Sequence, residues 1–270
     1  MTFNQANAYC ESFNSNPNQK YVRLPTRNEL LSIVNYRKRN PAIDEDLFVP
    51  TTPGIYWTKT ERKGVFNPEY WTVNFKDGTS YFYSDTAAFH ARCVIHFDAL
   101  PPLPPTTHYK VGTETVYDYG TKLTWQRDSS DKSLSYEGAV EYCPNRRINN
   151  QDWRLPTFKE LISLVDTSRV KPTLDPAFRG AVTNRFISTT PMFDEEINFK
   201  LWSIDFNRGA IPEGGAVSSG FVRCVKQRDD SGSSNRVFRG SVDILSNLDL
   251  QRFREGHYQG ITGNVTIRSN

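Results

Sequence analysis

RLPTRNELLSIV at residues 23–34 and RLPTFKELISLV at residues 154–165 are two versions of one segment. The spacing between them carries Pro41 and Asp44 onto Pro172 and Asp175, and Trp71 and Phe75 onto Trp202 and Phe206. It also carries Arg92-Cys93-Val94 onto Arg223-Cys224-Val225. With a slip of two residues, Ala6 and Tyr9-Cys10 meet Ala139 and Tyr142-Cys143. A register kept over this distance marks a duplicated domain. Solenoid repeats are far shorter, at about 20–50 residues.

The motif itself predicts a helix start. Thr26 and Thr157 are each followed three residues later by a glutamate, Glu29 or Glu160. That is a capping box, in which the two side chains satisfy the free amides of the first helical turn. Leu30, Leu31, Ile33 and Val34 then supply an apolar face. Arg23 and Arg154 stand just before the motif's proline, and Arg92 and Arg223 just before the last cysteine of each copy. The expected role of all four is structural, as a half-buried arginine pairing a carboxylate. Upstream, Ala6, Tyr9, Cys10 and Phe13 recur at i, i+3, i+4 and i+7, the spacing of one helix face. A long irregular stretch is expected after the second helix. Strands come last: Trp71–Phe75, a turn at Asp77-Gly78, Thr79–Tyr83, and a final strand through Cys93.

Residues His108 to Leu134 have no counterpart in the first copy. Within them, Glu114–Tyr117 and Lys122–Gln126 read as strands about Tyr119-Gly120. The first copy, opening at Thr2 opposite Ser135, is therefore expected to lack these strands, with Met1 an internal residue of a longer protein. The expected organisation is a first domain over 1–98, a Pro-rich linker over 99–107, and a complete domain over 108–228. A flexible linker over 229–235 (DDSGSSN) and a strand-helix-strand tail over 236–270 follow. The class is α+β, each domain having two helices and a small antiparallel sheet.

Composition narrows the function classes. A net charge of +3 over 270 residues gives no general basic excess for nucleic acid. No apolar run approaches the ~18 residues of a membrane span. The opening MTFNQANAYC has neither the basic flank nor the apolar core of a signal peptide. Four cysteines allow three pairings. Only Cys10–Cys93 with Cys143–Cys224 respects the repeat, and each bridge would close a loop of roughly 80 residues, for about 4 kcal/mol on a chain-entropy account. The alternative is four reduced, buried thiols. Bridged cysteines imply export to the extracellular space or the cell surface, and hence a leader outside this sequence.

The tandem signature resembles the bacterial family named for the C-terminal domain of the Legionella collagen-like protein. It comprises the opening strand Leu123-Thr124-Trp125, an Ala-x-x-Tyr-Cys helix, Trp153-Arg154-Leu155-Pro156-Thr157, a later Trp strand, and Arg223-Cys224-Val225. The first copy carries it from Ala6 onward, with Val22 in place of the tryptophan. The resemblance implies a C-type-lectin-like fold, akin to formylglycine-generating enzymes, in surface or secreted proteins. It also implies adhesion, the namesake binding sulfated glycosaminoglycans. The tail resembles the opening of a receptor-L or leucine-rich β-solenoid.

No catalytic residue, metal site or cofactor is expected. His90 and His96, six residues apart on one expected strand, lie too far apart to share a metal. The repeat accounts for every cysteine, so none remains as a reactive thiol for an oxidase. Asp44-Glu45-Asp46 and Asp194-Glu195-Glu196 read as solvated loop acids, with oxygen-ligated calcium the alternative, and Asp44 and Asp175 as turn formers. Of the basic clusters, Arg37-Lys38-Arg39 is expected to close a helix and Arg146-Arg147 carries no further signal. Lys59, Arg62 and Lys63 are expected in a loop beside Tyr56 and Trp57. Aromatic faces stack on sugar rings and cations meet sulfates, so these five residues are the candidate ligand site. The expected partner is an extracellular glycan, a sulfated glycosaminoglycan among the choices, or a protein. Nucleic acid and membrane insertion are not expected. The competing classes are an enzyme of the formylglycine-generating or oxidase type and a purely structural spacer.

Overall fold

The computed structural model describes residues 1–14, 21–48, 50–96, 108–146, 148, 152–192, 200–211, 216–227, 237–238, 242–244, 260–261 and 265–267. Both expected linkers, Arg147, Asp194-Glu195-Glu196, His257 and the tail's helix lie outside them. The described elements are a few short helices and several small, mostly antiparallel sheets. No helix among them is long and apolar enough to cross a membrane.

The first copy runs α1 (Phe3–Glu11), β1 (Tyr21–Arg23), α2 (Arg27–Ser32), β2 (Ile55–Glu61), β3 (Glu69–Asn74), β4 (Phe82–Ser84) and β5 (Val94–His96). Strands β2, β3 and β4 form one antiparallel sheet, and β5 pairs antiparallel with β1. The second copy opens with β6 (Tyr109–Val111), β7 (Thr115–Asp118), β8 (Leu123–Gln126) and β9 (Leu134–Ser135). It continues with α3 (Tyr136–Asn145), α4 (Phe158–Ser163), β10 (Arg185–Met192), β11 (Lys200–Asp205), β12 (Ala216–Val217), β13 (Ser219–Gly220) and β14 (Val225–Gln227). Strands β10, β11 and β12 repeat the first copy's sheet, whereas β8, β7 and β6, which join β14 in a four-stranded sheet, have no counterpart among the described residues of the first copy.

Around the second helix the two copies repeat a set of local bonds. Thr26 and Thr157 cap α2 and α4 through complete capping boxes with Glu29 and Glu160. The first helical amide of each is held from the sheet: Arg27 donates to Thr60 Oγ1 at 2.9 Å, and Phe158 to Thr190 Oγ1 at 2.9 Å. Lys59 N–H donates to the Pro25 carbonyl and Thr189 N–H to that of Pro156, both at 2.8 Å. Thr58 and Ser188 hydroxyls donate to the carbonyls of Trp71 and Trp202. Disulfides Cys10–Cys93 and Cys143–Cys224 close the copies, with sequence separations of 83 and 81. They tie α1 and α3 to the segments that enter β5 and β14.

Three local expectations need correction. The buried line of α1 is Phe3, Ala6 and Cys10, while Tyr9 and Phe13 are about half exposed. Those two rings pack edge-on against each other at 5.2 Å instead of against the core. The expected irregular stretch contains β2 and, in the second copy, β10. Tyr56, Trp57 and Thr58 are buried in succession, as are Phe186, Ile187 and Ser188. A strand covered on both faces loses the alternation that reveals a strand in sequence. Finally, α2 stops at Ser32, so Arg37, Lys38 and Arg39 lie beyond it, and Lys38 pairs with Asp44 at 2.9 Å.

Met1–Lys226 is one compact unit, and the expected boundary over 99–107 falls inside it. A single apolar cluster joins the copies, including Val34, Tyr36, Val73 and Phe75 from the first and Phe158, Trp202, Ile204 and Phe206 from the second. The Tyr36 ring lies 4.8 Å from Phe158 and 5.1 Å from Trp202, edge-on to both. Trp202 Nε1 donates to the Tyr36 carbonyl at 3.3 Å, and Ser80 and Ile211 exchange backbone hydrogen bonds at 3.0 and 2.8 Å. In the second unit, β15 (Val237–Phe238) pairs with β17 (Gly260–Ile261), and β16 (Val242–Ile244) with β18 (Val265–Ile267). Both pairings are parallel.

The caps set the entry angle of α2 and α4 and so the position of every core residue on them. Thr157→Ala should lower unfolding stability by about 1 kcal/mol, read by urea denaturation. Thr157→Ser, which keeps the hydroxyl, should stay within a few tenths of wild type.

Candidate ligand-binding groove

The arginine and glutamate of the repeated motif form a clamp. Arg23 grips Glu29 with two nitrogens at 2.8 and 2.7 Å, and Arg154 grips Glu160 at 2.8 and 2.6 Å. One oxygen of each glutamate also accepts the N–H of the capping threonine. The Arg23 bonds hold the Glu29 carboxyl down at about 2. Burial pushes Glu160 upward, but Arg154 and the Thr157 cap outweigh it and leave that carboxyl lowered too. Every oxygen is engaged, so both glutamates are structural groups, as the capping box predicts.

Burial divides the five expected ligand residues. Tyr56 and Trp57 lie on β2 inside the core, 5% and 0% exposed. Tyr56 Oη donates to the Thr52 carbonyl and Trp57 Nε1 to that of Met1. Neither ring offers a face to solvent. Lys59 is also on β2, close to the clamp: burial and Arg23 lower its pKa, while Glu29 raises it. Arg62 and Lys63 stand apart, in the turn between β2 and β3. There they meet residues of the second copy that sequence reading did not join to them.

The meeting place is a groove of about 430 Å³ along the seam between the copies. Arg62, Lys63 and Gly64 form one wall, Arg169, Val170 and Lys171 the facing one, with Trp71, Tyr81, Phe82 and Arg208 also in its lining. Arg62 is paired with Glu69 and lies over the Phe82 ring at 3.6 Å. Lys63 is paired with Glu61, and Arg169 with Asp166 at 2.8 Å. Lys171 and Arg208 are exposed and form no ion pair with any described residue. The Tyr81 and Phe82 rings stack at 4.3 Å and stay partly open to solvent. Among the described residues no carboxylate lines the groove. Its five cations and the partly exposed Tyr81 and Phe82 rings suit a ligand that carries negative charge and a flat apolar face.

Turn geometry builds the groove. Gly78 and Gly209 occupy equivalent turns after β3 and β11, with φ of 83° and 67°. This left-handed backbone favours glycine. At Gly209 a Cβ would also come within 2.9 Å of Thr173 Oγ1. Gly209 thereby turns the chain directly after Arg208. No local signal in sequence joins Lys63, Lys171 and Arg208, because only the packing of one copy on the other makes them neighbours.

A second cavity, of about 380 Å³, lies between α2, α4 and the turn after β7. Its charged side chains are already occupied. Asp118 accepts from Gly120 N–H and Thr121 Oγ1, and the Lys159 amine donates to the Ser32 carbonyl. Among the described residues no group of three His, Cys, Asp or Glu side chains has metal-site geometry. The four remaining expectations fall as follows. Asp175 does cap a turn, accepting from Ala177 N–H at 2.8 Å, and the Asp44 carboxylate takes the Asn35 amide and Lys38. Arg223 is completely buried, and instead of a carboxylate it meets the carbonyls of Gln126, Arg127 and Arg179. Arg92 donates to Thr51 Oγ1. Only the Arg23 and Arg154 clamps use a carboxylate as expected.

A duplicated, disulfide-closed α+β domain with a capped RLPT helix in each copy defines the class of protein. The family model of the Lcl C-terminal domain matches residues 1–95 and 114–226, so the chain belongs to that family, with both copies inside the match. No curated protein and no solved structure matches it.

The clamps predict a pH response. The carboxyl of Glu29 lies at about 2 when folded, against an ordinary 4.5. A depressed folded value adds stability that is full above the unfolded pKa and lost as pH falls through the folded one. Wild type should therefore lose thermal stability from about pH 5 to about pH 2. Replacing both Glu29 and Glu160 by Gln should flatten that slope while leaving the caps formed, as measured by melts across the range.

Proposed function

We propose that the chain is a non-catalytic binding module of an exported or surface-held bacterial protein, and that the groove between its copies takes an acidic glycan. The observation that carries this reading is the pair of exposed cations Lys171 and Arg208, without an ion-pair partner among the described residues, beside the partly open Tyr81–Phe82 stack in a groove that no described carboxylate lines. Guanidinium and ammonium groups bind sulfate and carboxylate oxygens, and an aromatic face supports a sugar ring. Sulfated glycosaminoglycans are the ligand class of choice. Two disulfides, which persist in oxidising compartments, support export, as does membership of the family. All four cysteines are bonded, which leaves no free thiol for the oxidase reading.

The site belongs to the tandem, since each copy supplies one wall. Binding should be mainly electrostatic and fade as the screening length shrinks from ~10 Å at 0.1 M salt to ~3 Å at 1 M. Replacing Lys171 and Arg208 together by Ser should weaken retention on a heparin column by about tenfold in affinity, at roughly 1 kcal/mol or less per charge near the surface. Lys59→Ser, outside the groove, should elute with wild type. Flow-through of folded wild type at low salt would end the acidic-glycan reading and favour a spacer or a protein ligand.

A further inference from the structure

The duplication supplies an internal control for the edge of each three-stranded sheet. In the first copy that edge is β4, with Phe82 opposite Trp71 of β3 and Tyr83 opposite Tyr70. In the second it is β12, with Ala216 opposite Trp202 of β11 and Val217 opposite Leu201. The two tryptophans are equivalent, so Phe82 and Tyr83 stand where the second copy has alanine and valine. The sheet edge forms without aromatic residues there, and the row Tyr81-Phe82-Tyr83 needs a reason other than the fold. The strands that open the second copy join β13 and β14, and β12 pairs with β11 alone among the described strands. The row on β4 therefore holds whatever strands precede the first copy.

The row continues the groove. Tyr81 lines the groove, and Thr72 N–H holds its carbonyl at 2.7 Å. Tyr83 lies two residues further along, outside the groove lining and 37% exposed. Side chains two apart on a strand share a face, and the two tyrosine rings lie 6.0 Å from each other. Phe89 meets Tyr83 edge-on at 4.8 Å and itself packs at 5.0 Å against the buried Trp57. Each tyrosine is thus anchored on its inner side and open on its outer one. Tyrosine in such a place offers a rigid, amphipathic surface at small entropic cost. The C–H face of a sugar ring is apolar surface of the kind it can cover.

We infer that the ligand of the groove is a chain of several sugars, and that Tyr83 is a second platform, carrying a ring beyond the one that rests on Tyr81. The inference rests on the acidic-glycan reading of the groove. Lys171 and Arg208 take the charged part of the chain within the groove, and the face of β4 directs the part that leaves it. Contact with Tyr83 buries apolar surface, so its contribution persists at salt concentrations that screen the charges.

The test titrates the whole protein with a heparin disaccharide and with a heparin octasaccharide, by calorimetry. Wild type should bind the octasaccharide more tightly. Tyr83→Ala should leave the disaccharide affinity unchanged and weaken the octasaccharide by about fivefold, at low and at moderate salt alike. Tyr83→Phe, which keeps the ring, should match wild type, and Lys171→Ser with Arg208→Ser should weaken both ligands. Circular dichroism checks that each variant is folded. If Tyr83→Ala binds the octasaccharide as wild type does, the second platform is overturned and the groove reading stands. If it weakens both ligands alike, Tyr83 belongs to the groove itself and the path along β4 is overturned. If neither ligand binds folded wild type, the acidic-glycan reading falls, and this inference falls with it.

Discussion

Arg27 lies where the two copies meet, completely buried, and no carboxylate among the described residues pairs with it. Burial lowers its pKa to about 10, which leaves it cationic at neutral pH. A buried cation is costly unless its donors are met and its charge is faced by dipoles or π electrons. Here Nε donates to Ser80 Oγ at 2.9 Å, Nη2 donates to the Gly209 carbonyl of the other copy at 2.7 Å, and the guanidinium lies 4.4 Å over the Trp71 ring, while the buried Nη1 has no hydrogen-bond partner among the described residues. Pulling the copies apart would break the bond to Gly209 and expose the apolar cluster they share. The same contact fixes the turn that carries Arg208, and with it one end of the groove.

The duplication explains why an arginine sits there. In the second copy the equivalent first helical residue is Phe158, stacked on Trp202 at 5.2 Å, the partner that corresponds to Trp71. One copy fills the position with an apolar ring that joins the common core, and the other with a cation that reaches across. Two identical copies would present Phe to Phe or Arg to Arg at this joint. At this joint the halves meet asymmetrically, and Lys63 and Lys171 both line the groove between them. The conserved part of the design, the clamp of Arg23 on Glu29 and of Arg154 on Glu160, builds each copy. The diverged part joins them.

How much of this was legible in sequence depended on the range of the interaction. Thr26 with Glu29 and Thr157 with Glu160 signal a cap within four residues, and both caps formed. The cysteine pairing followed from the repeat. Strands β7 and β8 and the turn at Gly78 carry local signals and were found. Strands β2 and β10 were missed because both of their faces are covered, so Tyr56 and Trp57 looked like loop aromatics near basic residues when they are core. Tyr9 and Phe13 have helix-face spacing but nothing packs over them, and spacing cannot tell a face that meets the core from one that meets its own neighbour. The groove was out of reach for a different reason. Its walls come from positions more than a hundred residues apart in sequence, brought together only by the packing of one copy on the other.

The central claim is that Met1–Lys226 unfolds as one unit held at the Arg27 joint. Native-state hydrogen exchange on wild type and Arg27→Met tests it, with Val73 in β3 and Ile204 in β11 as reporters of the two copies. The account predicts that both amides exchange through the same global opening and that the substitution lowers their protection by equal amounts. Loss of protection at Val73 with Ile204 unchanged would show two independently stable domains and contradict it.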